Sequence, residues 1–452
     1  MKPPSPQSAG RGPKFQKVTT PLLAAAQAPF CGLLLRARHR AGTALHTGKK
    51  RAEVRPLSLR CAGEFLKRVG LILAFLVLPV VGRRPASAEP DEGGAYQWNL
   101  PKGFAKPYVP AGNPMTAAKV ELGRYLFYDS RMSVNGKASC ATCHKQELAF
   151  TDGRAVGVGA TGEAHSRGAM SLVNVAYSAV LTWSNPEMKT LEQQALVPMF
   201  GDHPVELGLR EDDGFVPMLR SDPQYRTLFE HAFPAVGPKG AADRFTIANV
   251  TKALASFERS IISARSPYDR YHYGGEDNAI SESAKRGETL FFNQHLSCFR
   301  CHGGANFSDA TAFEKNADRR VEFHNTGLYN VAGSLSYPEP NTGIFEFTKA
   351  PADVGKFKAP TLRNIALTAP YMHDGSIPTL EGVLDHYAAG GRTIASGPHA
   401  GTGRDNPNKD PLIGGFTLTQ QDRADLIEFL KSLTDDAVIH DPRFADPWPH
   451  RN

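Results

Sequence analysis

Cys140, Cys143 and His144 form a Cys-x-x-Cys-His run, and Cys298, Cys301 and His302 repeat it. Two thiols at this spacing can add to the two vinyl groups of a porphyrin. The next residue then offers its imidazole to the iron. Zinc is the competing reading of two Cys-x-x-Cys pairs, but zinc gives no reason for a histidine directly after both. A disulfide framework is disfavoured by the two-residue spacing. Of the six cysteines, Cys31 and Cys61 lie near the N-terminus and the other four all belong to the two motifs. The expectation is two covalently bound haem c groups with His144 and His302 as proximal iron ligands.

The segments that must hold these motifs recur with them. Leu126-Phe127-Tyr128 precedes the first motif and Leu290-Phe291-Phe292 the second; Phe150-Thr151-Asp152 and Phe307-Ser308-Asp309 follow them. Ala169 to Ala176 echoes Ala359 to Ala366, and Thr190-Leu191-Glu192 echoes Thr379-Leu380-Glu381. Each half closes on a helix-like segment, Ala253 to Ile261 and Asp425 to Leu433. In the latter, Leu426, Phe429, Leu430 and Leu433 share one helical stripe, and Thr419 with Asp422 makes a cap. An internal repeat of this kind predicts a mainly α protein. It would hold two cytochrome c-like haem domains related by duplication, with long loops, spanning residues 89–270 and 271–452. Ser266 to Ser283 reads as the link between halves. The Pro- and Gly-rich stretches 331–356 and 390–415 read as loops.

Covalent haem attachment usually happens outside the cytoplasm, so an export signal is expected. Val69 to Val81 is an apolar run of thirteen, preceded by Lys67 and Arg68 and followed by Ala86-Ser87-Ala88. That is the pattern of a secretory signal. It assigns residues 1–88 to a leader: a signal peptide over about 61–88, behind residues 1–60 that read as an early start or an extension. The run is short of the roughly 20 residues a membrane span requires, so no stable span is expected after processing, and the periplasm is the expected location. The leader also carries much of the positive charge. Beyond residue 88 the chain has 36 basic and 43 acidic residues, net −7, which gives no support for nucleic-acid binding.

The repeat is not symmetrical. Seven residues beyond the leucine of each Thr-Leu-Glu, the second half has Tyr387 and the first has Pro198. If that position faces the distal side of each haem, Tyr387 can ligate iron through its phenolate. Proline has no donor. One haem would be closed and the other open to a small molecule. The bland alternative for Tyr387 is an ordinary buried tyrosine.

From about Trp98 to Thr434 the chain resembles the bacterial dihaem cytochrome c peroxidase/MauG superfamily. Asn113-Pro-Met-Thr116, Lys119 to Arg124, Leu191-Glu-Gln-Gln-Ala195, Pro204 to Gly208 and Phe357 to Asn364 are most similar to the MbnH-like dihaem enzymes. The resemblance implies a distal tyrosine at the C-terminal haem of MauG-like members and a methionine in conventional peroxidases. Tyr387 stands at that position, fourteen residues after His373 of Tyr371-Met-His-Asp-Gly375. It further implies Glu206 as the distal acid, Gln194 and Pro198 as distal pocket residues, and Trp183 as the aromatic between the haems. Peroxide must lose a proton from one oxygen and gain one on the other before its O–O bond breaks, and a nearby carboxylate can shuttle that proton. A solvated surface acid is the ordinary fate of a glutamate, and core packing that of a tryptophan. His203 and His165 stand near these motifs without an assigned role, His165 as a weak candidate for a labile sixth ligand. Members of the family also bind calcium, and Thr368 and Pro370 match two of its positions. Gly168 stands where asparagine is usual, which removes a side-chain ligand.

The implied activity is a periplasmic oxidoreductase that reacts with hydrogen peroxide, forms a high-valent dihaem state and oxidises a residue of a partner protein, by resemblance a tryptophan. The alternative is a conventional dihaem cytochrome c peroxidase, reducing peroxide with electrons from a small redox protein. A pure electron carrier is disfavoured, because Pro198 leaves one iron open.

Overall fold

The computed structural model describes residues 96–449, apart from 212–213, 236–242, 318–319 and 335, and its regular structure is almost all helical. Five helices organise it: α1 (Ala117–Tyr128), α2 (Ile247–Ser260), α3 (Glu282–Phe291), α4 (Leu380–Ala388) and α5 (Gln420–Lys431). Each begins on a hydroxyl residue that accepts a backbone N–H of the first turn: Thr116, Thr246, Ser281, Thr379 and Thr419. Such oxygens satisfy donors that a helix N-terminus leaves without a partner. Thr419 and Asp422 close the reciprocal capping box that their spacing implies. Among the described residues the only sheet is an antiparallel pair, β1 (Thr393–Ile394) and β2 (Gly401–Thr402), with Thr393 opposite Thr402. It interrupts the 390–415 stretch read as loop, just as the short helix Phe345–Thr348 interrupts 331–356.

Two helix crossings of the same geometry build the two halves. A Cβ placed on Gly123 of α1 would stand 2.0 Å from the Ala253 carbonyl oxygen of α2 and 2.8 Å from Cβ of Phe257. A Cβ on Gly287 of α3 would stand 2.0 Å from the Asp425 carbonyl oxygen of α5 and 2.8 Å from Cβ of Phe429. Backbone therefore lies on backbone where one residue lacks a side chain, and a phenylalanine one turn further on fills the space beside it. Phe257 meets Phe127 with ring centroids 5.1 Å apart, and Phe429 meets Phe291 at the same 5.1 Å.

A separate apolar cluster surrounds each crossing. The first gathers Leu122, Phe127, Phe150, Met199 and Phe257; the second gathers Phe291, Phe307, Leu384, Leu426, Phe429 and Leu433. Echoing asparagines stitch the join. Asn174 and Asn364 both adopt left-handed backbone at φ 58. Asn174 Nδ2 donates to the Ser263 carbonyl (2.8 Å), its Oδ1 accepts from Ser263 N (2.7 Å), and Asn364 Nδ2 donates to the Ser263 hydroxyl (3.0 Å).

Two expectations about organisation change. The link after Ser266 is not all loop: Ser266 and Asp269 form a capping box on the helix Pro267–His272, so the 270/271 boundary falls inside a helix. Asp269 is buried and takes both guanidinium nitrogens of buried Arg363 at 2.8 Å each, while Arg363 Nε donates to the Ala305 carbonyl (2.7 Å). The C-terminal tail also leaves the 271–452 half. Val438 and Phe444 join the first apolar cluster, and Gln146 Nε2 donates to the Val438 and Asp441 carbonyls at 2.9 Å each. The tail's apolar side chains find their partners there. The leader, 1–88 with its signal over about 61–88, lies outside the described residues. No helix among the described residues is long and apolar enough to cross a membrane.

The crossings yield a direct check. Gly123→Ala and Gly287→Ala should each destabilise the holoprotein by about 1–3 kcal/mol or more, the cost of overpacking a closed contact. Urea unfolding measures this, and a neutral effect at either position would contradict the close approach.

Candidate functional site

Both motifs present their histidine in the same way. Cys140–Cys143 forms one α-turn and Cys298–Arg300 one 3₁₀ turn. The following backbone N–H, of His144 or His302, donates to the carbonyl of the first cysteine at 3.0 Å in each. His144 Nδ1 lies 2.8 Å from the Phe150 carbonyl oxygen, and His302 Nδ1 lies 3.3 Å from that of Phe307. A carbonyl can only accept, so Nδ1 carries the proton and Nε2 keeps the lone pair that a metal needs. The two phenylalanines hold left-handed backbone, φ 61 and φ 48, a conformation rare for bulky residues. That twist belongs to the turn that brings each carbonyl to its ring. Burial pushes both histidines below their ordinary range, which keeps them neutral.

The four motif cysteines are unpaired, and burial raises Cys140 well above the usual thiol range and Cys298 to about 12. This donor set fits haem c: paired free thiols on one turn, then a neutral imidazole locked with Nε2 as its acceptor nitrogen. It does not fit a tetrahedral zinc site, which would need thiolates and closed coordination.

At the second motif, Tyr387 projects from α4. Its phenol is pushed well up, first by burial and then by Cys301 and Cys298, so it lies within electrostatic reach of both motif cysteines. Tyr387 is part-buried, and its hydroxyl has no hydrogen-bond partner among the described residues. Beside it, both ring nitrogens of buried His386 and Nε of Arg392 also lack a partner among the described residues.

The matching region of the first half is built differently. Where α4 runs unbroken through Tyr387, the first half has two short helices, Leu191–Gln194 and Leu196–Phe200, joined at Ala195. The Pro198 carbonyl accepts from Leu207 N (2.9 Å) and the Met199 carbonyl from Leu209 N (2.8 Å), which draws the Glu206 segment alongside. Glu206 is half-buried, burial raises its carboxyl to about 6, and its charge bears on Cys140 and Cys143. The Glu206 segment therefore runs beside Pro198, within electrostatic reach of the first motif's cysteines, and part-exposed Gln194 stands one turn before Pro198. His203 is exposed. His165 comes within 4.0 Å of Glu206, a contact that sequence spacing did not reveal. Glu192, in the same Leu-Glu-Gln-Gln-Ala run, is spent on structure, accepting from Asn113 Nδ2 (2.7 Å) and Arg259 (3.0 Å).

Trp183 packs against the second apolar cluster while belonging to the first half of the chain. Its Nε1 donates to the Gly168 carbonyl (3.0 Å), and Gly168 N donates to the His373 carbonyl (2.9 Å). The Trp183 carbonyl accepts from Lys358 N (2.9 Å), and Lys358 Nζ donates to the Val180 carbonyl (2.7 Å). Burial lowers this lysine to about 7, only partly opposed by Asp309. A charged residue inside the otherwise apolar run Phe357-Lys-Ala-Pro was the signal that could have singled it out. No such signal exists for His324, which Asp309 (2.7 Å) and Asp410 (2.6 Å) grip from both sides. Burial opposes its charge, yet the two carboxylates outweigh it and push the imidazole up to about 12.

Calcium finds less. The Thr368 hydroxyl donates to the Ile365 carbonyl (3.2 Å), the Gly168 carbonyl is taken by Trp183, and no cluster of three acidic or imidazole ligands forms near Thr368 and Pro370 among the described residues. A hard cation wants six to eight oxygens, and here the Thr368 hydroxyl and the Gly168 carbonyl are already engaged by protein partners.

Fold and donor set together define a dihaem c-type oxidoreductase. The description "di-haem cytochrome c peroxidase" matches residues 117–278, and "RoxA-like, cytochrome c-like" matches 356–389. The methylamine utilization protein MauG of Methylorubrum extorquens is 34% identical over 328 residues, 72% of this chain and 80% of that protein. Cytochrome-c peroxidase IdrP1 of Denitromonas iodatirespirans is 32% identical over 349 residues, 74% of this chain and 86% of that one. Among solved structures, a MauG-like protein associated with microbial copper homeostasis is 46% identical, with TM-score 0.75 over 78% of this chain and all of its own. The diheme peroxidase BthA of Burkholderia thailandensis, 19% identical with TM-score 0.55, shares the fold. The chain belongs to the di-haem cytochrome c peroxidase/MauG family and is a peroxide-dependent dihaem oxidoreductase.

Haem content tests the donor assignment. The purified protein should contain two covalently bound haems per chain by pyridine haemochrome assay. Cys298→Ala with Cys301→Ala should leave one; two covalent haems in that variant would refute the assignment.

Proposed function

We propose that the protein uses hydrogen peroxide at an open haem ligated by His144, stores the oxidising power with a closed haem ligated by His302 and Tyr387, and oxidises a residue of a partner protein in the periplasm. Two cytochrome c-like halves related by duplication, divided near residue 270 with the tail exchanged, are part of this reading; the matched crossings at Gly123 and Gly287 support it. The observation that carries it is the contrast between Tyr387, a phenol without a hydrogen-bond partner beside Cys298 and Cys301, and Pro198 beside Glu206. The apolar run at Val69 to Val81 supports export. A tryptophan is the residue we propose on the partner, from the resemblance to MbnH-like enzymes.

When bound, the haems supply peroxide reduction and storage of two oxidising equivalents. The chain's own residues do the rest. Pro198 offers no donor and leaves the distal face of the first haem to peroxide. Glu206, ionised above about pH 6, takes the proton from one peroxide oxygen and returns it to the departing one. Tyr387 loses its proton only toward a strong cation, as its raised pKa requires; a phenolate then favours the oxidised metal. Trp183, packed on the second half's apolar cluster and bonded through its backbone carbonyl to Lys358 N, offers an aromatic step for electrons.

Peroxide added to the diferric protein without reductant should produce a long-lived near-infrared charge-resonance band, and Tyr387→Met should abolish it. A strict need for prior one-electron reduction would favour the alternative, a peroxidase drawing electrons from a small redox protein. The peroxide rate should fall as pH drops below about 6, where Glu206 is protonated. Glu206→Gln should lower it about 10²–10⁴-fold and remove that acid limb. Stopped-flow across pH 4–9 (about the range where a carboxylate and an imidazole titrate) checks both.

A further inference from the structure

Glu206 does not stand alone. Residues 157–167 form a hairpin: Val158 pairs with Ala164, Gly159 N donates to the Glu163 carbonyl (2.9 Å), and His165 N donates to the Gly157 carbonyl (2.8 Å). Its tip is sewn to the Glu206 segment. Ala160 N donates to the Glu206 carbonyl (2.6 Å), and Val205 N donates to Glu163 Oε2 (3.0 Å). These bonds fix His165 opposite Glu206, with Nε2 4.0 Å from Oε1.

The ring's orientation is set from its other side. The backbone N–H of Arg167 donates to His165 Nδ1 at 3.0 Å. An N–H must donate, so Nδ1 is the acceptor and the proton of the neutral ring sits on Nε2, facing the carboxylate. The gap is too long for a direct hydrogen bond. It is short enough that one oxygen lying off the line between the groups could stand about 2.8 Å from both.

We propose that His165 is a positioning residue for Glu206, so that the proton acceptor at the first haem is an imidazole–carboxylate pair rather than a lone acid. His165 transfers no proton. Its Nε2–H favours the ionised carboxylate and directs it toward an oxygen held between the two groups. Burial and the Arg167 guanidinium hold the imidazole below its ordinary range, so it stays a neutral donor where Glu206 is ionised. The groups facing the pair fit this reading. Arg167 is itself held by Glu346, Asn341 (2.9 Å) and Ser184 (2.8 Å). Glu163 is turned to the Val205 backbone, and Glu206 also bears electrostatically on Cys140 and Cys143.

The inference rests on Glu206 as the acceptor proposed above, and the test separates the two. The protonated-carboxyl infrared band of Glu206, identified by its absence in Glu206→Gln, is titrated in the diferric holoprotein. In His165→Leu its midpoint should move up by about half a pH unit or more, because a donor to the charged form is lost. The acid limb of the peroxide rate should move with it. His165→Gln, which keeps an N–H donor, should restore most of both. An unmoved midpoint in His165→Leu overturns the pairing. So does a change of the resting first haem from six- to five-coordinate in the optical spectrum, which would make His165 an iron ligand. If Glu206→Gln leaves the peroxide rate and its pH profile intact, the role of Glu206 fails instead, and the infrared midpoint still decides the pairing.

Discussion

Each motif histidine has one ring nitrogen committed to a backbone carbonyl, and much of the structure exists to supply that carbonyl. The bond from His144 to Phe150, and from His302 to Phe307, decides which nitrogen faces the haem. It also demands a left-handed phenylalanine, a conformation that persists only when its surroundings hold it. The surroundings are the helix crossings. Phe307 packs on Phe429 (6.1 Å), the aromatic beside Gly287, and Phe150 packs on Phe127 (6.2 Å), which in turn meets Phe257 beside Gly123 (5.1 Å). The close approach at Gly123 and Gly287 thus reaches the imidazole through a short chain of packed aromatics. This gives a physical reason why the Leu-Phe segments before each motif and the Phe-x-Asp segments after it recur together.

The distal sides diverge because one helix is broken and the other is not. An unbroken α4 carries Tyr387 on the same helical run as Leu380 and Leu384, which are buried in the second cluster, so the phenol's position is tied to core packing. In the first half the break at Ala195 turns Leu196–Phe200 so that its carbonyls pair with Leu207 and Leu209. That exchange delivers a carboxylate where the other half delivers a phenol. Matching positions of the two halves therefore serve, on the proposed reading, a closed and an open site without altering the haem attachment. On the proposed reading, the unequal chemistry follows from this local choice between helix and strand-like pairing.

The parts of this arrangement legible in the chain were those encoded locally. Helix caps at Thr419 and Asp422, the stripe at Leu426, Phe429, Leu430 and Leu433, and the mainly helical class follow from neighbours within a turn or two. The repeat exposed the contrast between Tyr387 and Pro198 because both are counted from Thr-Leu-Glu. What stayed hidden depends on distant chain. His324 meets carboxylates 15 and 86 residues away, Arg363 meets Asp269 across 94, and the tail's Phe444 joins a core built from residues more than 180 positions earlier. The helix at Pro267–His272 was missed for a different reason: a polar, Gly-containing stretch looks like a linker, and only the buried Asp269–Arg363 pair explains why it is ordered.

The segment between the two halves shows how those distant contacts bear on function. Trp183 hangs from the Gly168 carbonyl by its indole N–H, and its own carbonyl is held by Lys358 N. Gly168 is in turn bound to His373, whose ring stacks on Phe357 at 3.8 Å. The indole is therefore held by its own half through Gly168, while the Trp183 backbone carbonyl and the Gly168 N–H are held by chain from the other half. A side chain at Gly168 would begin 3.1 Å from the Ala155 carbonyl oxygen, so the glycine suits a tight protein-only junction better than it suits an asparagine reaching for calcium. At this junction the halves are joined by hydrogen bonds, from Lys358 N to the Trp183 carbonyl and from Gly168 N to the His373 carbonyl. Burial lowers Lys358 to about 7 in that junction, against the pull of Asp309, so near neutral pH its charge is only partly present. On the proposed reading, these bonds hold Trp183 in one orientation as a relay between the halves.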